Sequence, residues 1–492
     1  MTRGGVDRLA VPLVAIGALL LAGCITVGPD YEQPQTETPD AWHAAAVEGL
    51  SEGEATLQTW WQVFEDPILN DLIDRATEAN LDLELALWRV EEARAFRGVV
   101  AGPQAPQVEF RGDSSRSQPS DNGPLGEFAP EGGFDAGNLH DYSIGAGWEL
   151  DLWGRIRRSI ESADAAVEAS VEDYRDVLVS VLAEVALGYF DVRTLQERIQ
   201  LAEANVEAQQ ATLKLTQDRF NVGLVSALDV AQAESNLANT ESLIPTLQTN
   251  LQLALNRVAV LLGQPPGTVH AQLEEPRPLP PEPPDVAAGL PADLLRQRPD
   301  VRRAERQLAS QTALIGVATA DLYPTFSLGG FIGLQAVDGG DLLSGDSVTW
   351  GIGLPIRWDL FSGGRIRSQI RVEEVRTQQA LVLYEQTVLF ALEEAEGAMV
   401  TYDQRRLRRE KLRTSVDATE RSLNLVMTQY TAGLTDFQNV LDTQRSLLNR
   451  QDELAVTRGG VIRDLIGIYR ALGGGWDPAV GAPVPSEVEQ GS

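Results

Sequence analysis

The sequence predicts a mainly helical protein with a few membrane β-strands, arranged as two copies of one unit. Three observations support this: a repeat at fixed spacing, segments in which apolar and small or polar residues alternate, and two very long stretches without proline. The chain has 492 residues. At about 150 residues per domain this corresponds to roughly three globular units, an expectation that elongated proteins do not follow.

The two copies appear when residues 141–157 are aligned with residues 351–367. The pairs that match at a spacing of 210 residues are Trp148 and Trp358, Glu149 and Asp359, Gly154–Arg157 and Gly364–Arg367, Phe220 and Tyr430, and Gly223 and Gly433. Further upstream the spacing becomes 218, so the first copy is eight residues longer than the second between Pro106 and Trp148. That region, Gly112–His140, has the composition of a surface loop. The sequence therefore predicts a duplicated half.

Each copy contains a segment with a two-residue period. In the second copy the alternating apolar residues are Val348, Trp350, Ile352, Leu354, Ile356, Trp358 and Leu360, and the first copy repeats the pattern from Tyr142 to Leu152. Such segments are typical of membrane strands with one lipid-facing and one aqueous face. Pro106–Ser114 and Pro324–Ala336 supply a preceding strand in each copy. A half-buried antiparallel hairpin of a soluble protein remains an alternative.

Helical patterns follow each pair of strands. Arg155–Gln217 and Arg365–Gln429 contain no proline, and each would be about 95 Å long at 1.5 Å per residue. Their apolar residues recur at spacings of three and four, which favours coiled-coil-like packing. The remaining predicted helices are Pro67–Val100 and Pro291–Ala320 before the strands, and segments that return after the turns Phe220–Val225 and Tyr430–Thr435 as far as Leu262 and about Leu472.

The N-terminus has the features of an export signal. Arg3 and Arg8 precede an apolar run, and the small residues Ala22 and Gly23 precede Cys24. This arrangement resembles a lipobox, which predicts that Cys24 becomes the acylated first residue of the mature chain. A chance cysteine beside an ordinary signal is the alternative. The residue after the cysteine is not aspartate, and in Gram-negative lipoproteins that pattern implies delivery to the outer membrane.

Composition excludes several classes of function. Forty basic against 71 acidic residues give a formal net charge of −31, which argues against binding to nucleic acid. A single cysteine, three scattered histidines and no phosphate-binding glycine loop give no support for a metal site, a cofactor or an enzyme.

Geometry adds a requirement for association. Four strands per chain cannot close a membrane barrel, and an open edge in hydrocarbon leaves backbone groups unpaired. If the strands lie in a membrane, several chains must therefore assemble with rotational symmetry. The long helices would then continue from the barrel and end in a ring of helix–turn–helix tips.

Several segments together carry a family resemblance. They are GPDYEQP (28–34) after Cys24, WWQVFEDPILNDLI (60–73), WELDLWGRIR (148–157), FNVGLVSALDVAQAE (220–234), GLPADLLRQRPDVRRAERQLA (289–309), WDLFSGGRIR (358–367) and YTAGLTDFQNVLDTQRS (430–446). The sequence resembles the outer-membrane efflux proteins of the TolC/OprM/NodT type over essentially the whole mature chain.

The resemblance implies a TolC-like homotrimer, in which four strands per chain complete a twelve-stranded outer-membrane barrel on a helical periplasmic barrel. Such a trimer is the passive exit duct of a tripartite pump for drugs, toxic compounds or metals. Its partners are a periplasmic adaptor, an inner-membrane transporter of the resistance-nodulation-division class and outer-membrane lipid. A protein-secretion duct of the same fold, and a lipid-anchored periplasmic scaffold without a pore, are the alternatives.

With this fold the predicted boundaries can be assigned. They are a signal peptide at 1–23, a lipid-anchored tether and equatorial segment at 24–66, a first repeat at 67–262, a proline-rich equatorial linker without a core at 263–290, a second repeat at 291–472 and a C-terminal tail at 473–492.

The resemblance places a periplasmic gate near the helical turns. Asp442 falls on an aperture aspartate of the family, Arg445 follows one turn later on the same face, and Asn439 replaces a neighbouring aperture acid. Asp229 matches an acid that in some members is bonded to a tyrosine at the place of Tyr430. Each acid could instead be an ordinary solvated helix charge.

The turns themselves are predicted contacts for the adaptor. Gly223 and Gly433 end long helices, where a residue with positive φ is commonly needed, and Leu224 and Leu434 follow them. Turn geometry alone is the alternative explanation for the two glycines.

Overall fold

The computed structural model describes residues 26–36, 39–43, 50–51, 57–124, 126–128, 130, 133–280, 286–287 and 297–477. The predicted signal peptide and Cys24 lie outside these residues. The chain divides into two compact units. One comprises 1–34, 92–168 and 305–383, and the other 35–91, 169–304 and 384–492.

Helices make up most of the described chain. In order they are α1 Pro67–Ala79, α2 Leu81–Ala101, α3 Arg155–Asn221, α4 Ala227–Glu241, α5 Leu243–Leu261, α6 His270–Leu273, α7 Pro299–Ala320, α8 Arg365–Thr431 and α9 Phe437–Ala471. Short 3₁₀ helices lie at Trp60–Phe64, Gly102–Gln104, Gly126–Phe128 and Gly345–Ser347. Among the described helices, none combines the length and the apolarity that crossing a membrane requires.

The strands, in chain order, are β1 Leu50–Ser51, β2 Gln107–Ser117, β3 Gly137–Leu150, β4 Val286–Ala287, β5 Thr325–Ala336, β6 Val348–Gly353 and β7 Ile356–Arg357. β1 pairs with β4 in parallel in the unit that holds most of the helical residues. The other unit contains an antiparallel sheet in the order β2-β3-β5-β6, in which β7 also pairs with β5.

The predicted long helices are present with nearly the predicted bounds, and each spans 67 residues. The helix predicted over Pro67–Val100 is instead divided at Asn80. The Asn80 side chain accepts hydrogen bonds from the backbone N–H groups of Asp82 (2.9 Å) and Leu83 (3.1 Å). Because this caps a new helix start, the chain forms two helices where the periodicity predicted one.

The last strand of the second copy is also divided. The alternation predicted one strand from Val348 to Leu360, but the pairing is interrupted at Pro355. Proline has no N–H to donate, which confines it to edge strands and irregular positions. The Pro355 carbonyl still accepts a hydrogen bond from the Ser327 N–H (3.1 Å), so β5 keeps contact across the interruption.

The linker at 263–290 was predicted to form no core, and this was wrong for its first part. Val269 and Leu273 have no exposed surface. The buried Arg193 donates to the Glu275 carbonyl (2.7 Å), and Gln196 donates to that of Leu273 (2.6 Å). The proline content predicted the irregular backbone correctly, but it gave no indication that apolar residues of this segment are buried.

Arginine side chains contact both the end of the second repeat and the start of the predicted C-terminal tail. The guanidinium groups of Arg175 and Arg302 lie 4.4 and 5.3 Å from the ring centre of Trp476. Arg298 donates to the Ala471 carbonyl (2.7 Å) and pairs with Asp300 (2.7 Å). The arginine-rich segment that carries part of the family resemblance therefore has a structural role, because it holds Ala471 and Trp476 in place.

Candidate functional site: the helical turns and the sheet

The two predicted tip glycines end α3 and α8 in the same geometry. Gly223 and Gly433 have φ values of 75° and 74°. The Gly223 and Leu224 N–H groups donate to the carbonyls of Phe220 and Arg219, both at 2.9 Å. Gly433 and Leu434 repeat this pattern at 3.0 and 2.8 Å. Two such bonds define a Schellman motif, which explains the glycines by turn geometry.

The residues that follow these glycines are exposed apolar side chains. Leu224 is 66% and Leu434 is 78% exposed. Neither glycine would meet an atom within 4 Å if it carried a Cβ. The turns therefore present an open apolar surface.

Tyr430 lies in an apolar cluster beside the second turn. It is 2% exposed and packs with Ala233 of α4 and with Phe437 and Val440 of α9. The Arg219 guanidinium lies 4.7 Å from the Tyr430 ring centre, and Arg219 donates to the Thr431 carbonyl (2.9 Å). The two turns are therefore neighbours in space.

Within the chain, the contact expected between Tyr430 and Asp229 is not formed. The Tyr430 hydroxyl is buried and has no hydrogen-bond partner among the described residues. The Asp229 carboxylate instead accepts from the Ser226 N–H (2.9 Å), and Ser226 caps Asp229 in return. Asp229 is thus the acidic half of a capping box at the start of α4.

Asp442, Arg445 and Asn439 are exposed on α9, and each has a different partner. Asp442 accepts from Gln438 (2.9 Å), and Asn439 donates to Thr435 (2.9 Å). Arg445 does not pair with Asp442. Its Nε donates to the Asn236 side-chain oxygen on α4 (2.8 Å), so it links two helices.

Sequence reasoning missed the buried polar contacts between the helices near the turns. Gln444 donates to Thr212 (2.8 Å), and Thr240 donates to Gln209 (2.9 Å). The side-chain amide nitrogens of Gln209 and Asn236 are buried without a partner in the described chain. Amide residues on the otherwise apolar inner faces were the available signal. A buried polar network that is only partly satisfied, as here, stabilises the helix contacts less than an apolar core would.

The segment that follows the predicted lipidation site is held against its own unit. Arg158 is 3% exposed at its side chain and donates to the Val27 carbonyl (3.1 Å) and to Asp30 (2.7 Å). Gly28 has a φ of 89°, and a Cβ there would lie 2.4 Å from the Gly316 Cα. Residues 26–30, at the start of the predicted lipid-anchored tether, are therefore docked on this unit.

The sheet separates two faces as the sequence predicted. Across β3, β5 and β6 the pairs on one face are apolar, as in Ile144 with Ile332 and Ile332 with Trp350. Trp148 and Trp358, which match in the repeat, each donate to a backbone carbonyl at 3.0 Å, those of Gln104 and Leu322. The opposite face is polar or glycine-rich.

A sheet with one apolar face, joined to paired long helices in two repeats, defines a subunit of a membrane channel. The sequence pattern of the Outer membrane efflux protein family matches residues 72–264 and 290–474, and the chain belongs to this family. Nodulation protein T of Rhizobium leguminosarum bv. trifolii is 30% identical over 467 residues, which cover 94% of this chain and 97% of that protein. The pyoverdine export outer membrane protein OpmQ of Pseudomonas aeruginosa is 30% identical, with 94% and 97% covered.

A solved structure agrees with this family assignment. The outer-membrane channel OprN superposes with a TM-score of 0.84 at 37% identity, covering 92% of this chain and 100% of that chain. The fold is therefore that of the TolC-like channels. The protein is an outer-membrane efflux component of a Gram-negative bacterium and not an enzyme. Channels of this family act as trimers in tripartite pumps with an adaptor and an inner-membrane transporter.

Proposed function

We propose that three copies of this chain form the exit duct of a tripartite efflux pump, which conducts small molecules passively to the exterior. An inner-membrane transporter of the resistance-nodulation-division class supplies the energy, and a periplasmic adaptor joins the two. The chain is held in the outer membrane both by its sheet and by acyl chains on Cys24.

The open edges of the sheet carry this proposal. Among the described strands, β2 pairs only with β3, and the β6–β7 edge pairs only with β5. Both edges adjoin an exposed apolar face, where Phe110 is 70% and Trp350 is 71% exposed. Unpaired backbone groups in hydrocarbon cost several kcal/mol each. Pairing the two edges between copies removes this cost, and three copies give twelve strands.

Purified protein in detergent, with its mass measured by light scattering, tests the assembly, and planar-bilayer recording tests the pore. We expect a trimer that conducts ions. A monomer that gives no conductance would refute the duct and favour a scaffold without a pore.

The gate of the proposed duct lies at the two turns. Exposed carboxylates at Asp442 and the link between Arg445 and Asn236 support this placement. In a trimer, three copies of Asp442 near one axis favour cations over anions, as acidic pore rings do. Asp442→Ala should therefore reduce cation selectivity while the trimer remains stable. Anion selectivity in the unaltered channel would place the constriction elsewhere.

The adaptor binds at the turns through the exposed leucines. Leu224→Asp and Leu434→Asp leave the turn glycines in place and should abolish cross-linking to the adaptor. Asp74→Ala, a charge change on α1, is the control. Retained cross-linking and drug resistance in the leucine variants would exclude this contact.

Lipidation at Cys24 is tested by replacing it with serine behind a non-lipoprotein signal. We expect the variant to fractionate with the outer membrane, because the sheets of a trimer bury more apolar area than a few acyl chains. Mass spectrometry of the natural chain should find acyl groups on Cys24. A soluble periplasmic variant would show that the sheet does not suffice.

A further inference from the structure

On the polar face of the sheet, one large aromatic residue is surrounded mainly by glycines. Phe331 on β5 lies opposite Gly145 on β3 and Gly351 on β6. The other positions that surround it on this face are Gly147, Gly329, Gly353, Gly333, Ser143 and Thr349. Phe331 is 47% exposed, so its ring is an accessible apolar surface on that face.

Packing within the sheet explains some of these glycines and not others. A Cβ on Gly351 would lie 2.8 Å from the Phe331 ring, so the ring itself requires this glycine. A Cβ on Gly147 or Gly353 would meet nothing within 4 Å. Glycine inside a strand is destabilising relative to alanine because it has more backbone freedom to lose on folding. Where packing does not require it, a strand glycine often marks a surface that a ligand approaches closely.

The same face is concave and acidic. A pocket of about 710 Å³ is lined by Phe331, glycines and the carboxylates of Glu109, Asp113 and Asp141. Arg111 also lines it and pairs with Glu109 at 3.0 Å. Asp113 and Asp141 lie directly opposite each other on β2 and β3, although like charges in that position destabilise a sheet. The pocket thus combines an aromatic face with excess negative charge.

We propose that this pocket is a contact site for aromatic cations on their way through the duct. The planar part of the ligand stacks on Phe331, and its positive charge is attracted by the ring face and by the Asp113–Asp141 pair. The inference rests on the proposed duct, because the polar face must line an aqueous path. It makes the exit component itself a source of substrate preference.

Current block by ethidium in single trimers tests the site, with tetramethylammonium as a cation that lacks aromatic rings. Phe331→Ala and Phe331→Leu should each weaken ethidium block about fivefold, the scale of one aromatic contact with a cation. Block by tetramethylammonium, which has only its charge to attract to the ring face and no ring to stack, should weaken less than block by ethidium. Asp113→Asn combined with Asp141→Asn should weaken block by both cations.

The matched control is Phe110→Ala, because Phe110 lies on the apolar face of β2 and should leave ethidium block unchanged. Phe331→Leu keeps an apolar side chain over Gly351, so it removes the aromatic face while preserving the sheet. Ethidium block that is unchanged in both Phe331 variants, or equally weakened by Phe110→Ala, would refute the site while the duct stands. A wild-type chain without conductance would instead refute the duct.

Discussion

Arg445 acts between helices rather than on the acid of its own helix. It follows Asp442 one turn later on the same face of the helix, but its Nε donates to Asn236 at 2.8 Å. Asn236 is 3% exposed and its amide nitrogen has no partner in the described chain. The arginine therefore satisfies a buried acceptor and holds α4 against α9 at the level of the turns.

Removing the hydrogen bond between Arg445 and Asn236 should favour opening of the proposed gate. We expect Arg445→Ala and Asn236→Ala each to raise resting conductance several-fold, because a hydrogen bond with a charged donor contributes about 1.5–3 kcal/mol. The double variant should add little to either single one. Single-channel recording measures this. Arg450→Ala is the control, since Arg450 pairs with Glu453 on its own helix (3.0 Å). Equal effects from Arg445→Ala and Arg450→Ala would contradict the role.

The Tyr430 hydroxyl should be dispensable. It is buried without a partner in the described residues, while the ring contacts Phe437 at 5.3 Å between centres. Tyr430→Phe should raise the free energy of unfolding by about 1 kcal/mol, because it removes an unsatisfied polar atom, and should leave conductance unchanged. Tyr430→Ala should lower stability by about 3–5 kcal/mol through the cavity. Chemical denaturation gives both values. A rise in resting conductance for Tyr430→Phe would contradict this prediction and would instead support a hydrogen bond between Tyr430 and Asp229.

At the scale of elements, α3 carries a partly buried acid, Glu197, that makes stability depend on pH. Burial raises the pKa of the Glu197 carboxyl above its usual range, and the nearby Arg458 opposes this rise. In the pH window between the unfolded and folded pKa values, the folded chain binds more protons than the unfolded chain. Its contribution to stability is therefore complete below the unfolded pKa and is lost as pH rises through the folded one.

Glu197→Gln should remove this part of the pH dependence. We expect the wild type to gain stability relative to the variant as pH falls from 7 towards 4.5, the usual glutamate value. Glu203→Gln, an exposed acid on the same helix, is the matched control for net charge. Thermal unfolding across this range measures the difference. Parallel pH profiles for wild type and Glu197→Gln would contradict the assignment.

At the scale of the whole molecule, the two repeats differ in how far a single chain buries the matching aromatic residue at each turn. Tyr430 is 2% exposed because Ala233 of the first repeat covers it, whereas its counterpart Phe220 is 44% exposed. In a ring of copies, the first-repeat turn would meet the second repeat of the next chain. Phe220 should then be buried in the same way as Tyr430.

Phe220→Asp should therefore weaken the trimer, because it places a charge in an apolar interface. Leu224→Asp is the control, since its counterpart Leu434 stays 78% exposed even beside the neighbouring repeat. Heating in detergent followed by measurement of the trimer fraction checks this. A trimer that is equally stable in both variants would show that Phe220 faces solvent.

Much of the fold was predictable because its signals are local and periodic. The 210-residue repeat, the two-residue alternation and the two proline-free stretches predicted the sheet faces and the long helices. Gly223 and Gly433 marked the turns because positive φ strongly favours glycine. Asn80 and Pro355 were visible in the sequence, but whether each ends an element depends on neighbouring backbone groups.

The partners of the gate residues were decided only by the tertiary structure. Sequence and resemblance selected Asp229, Tyr430 and Arg445, and the folded chain connects them to Ser226, Arg219 and Asn236. The glycines around Phe331 likewise became one surface only when strand register brought β3, β5 and β6 together. Periodicity determines which face of an element is buried, because burial is non-directional and scales with area. Hydrogen bonds are directional and each contributes only about 1 kcal/mol net, so the rotation and register of distant segments decide which one forms.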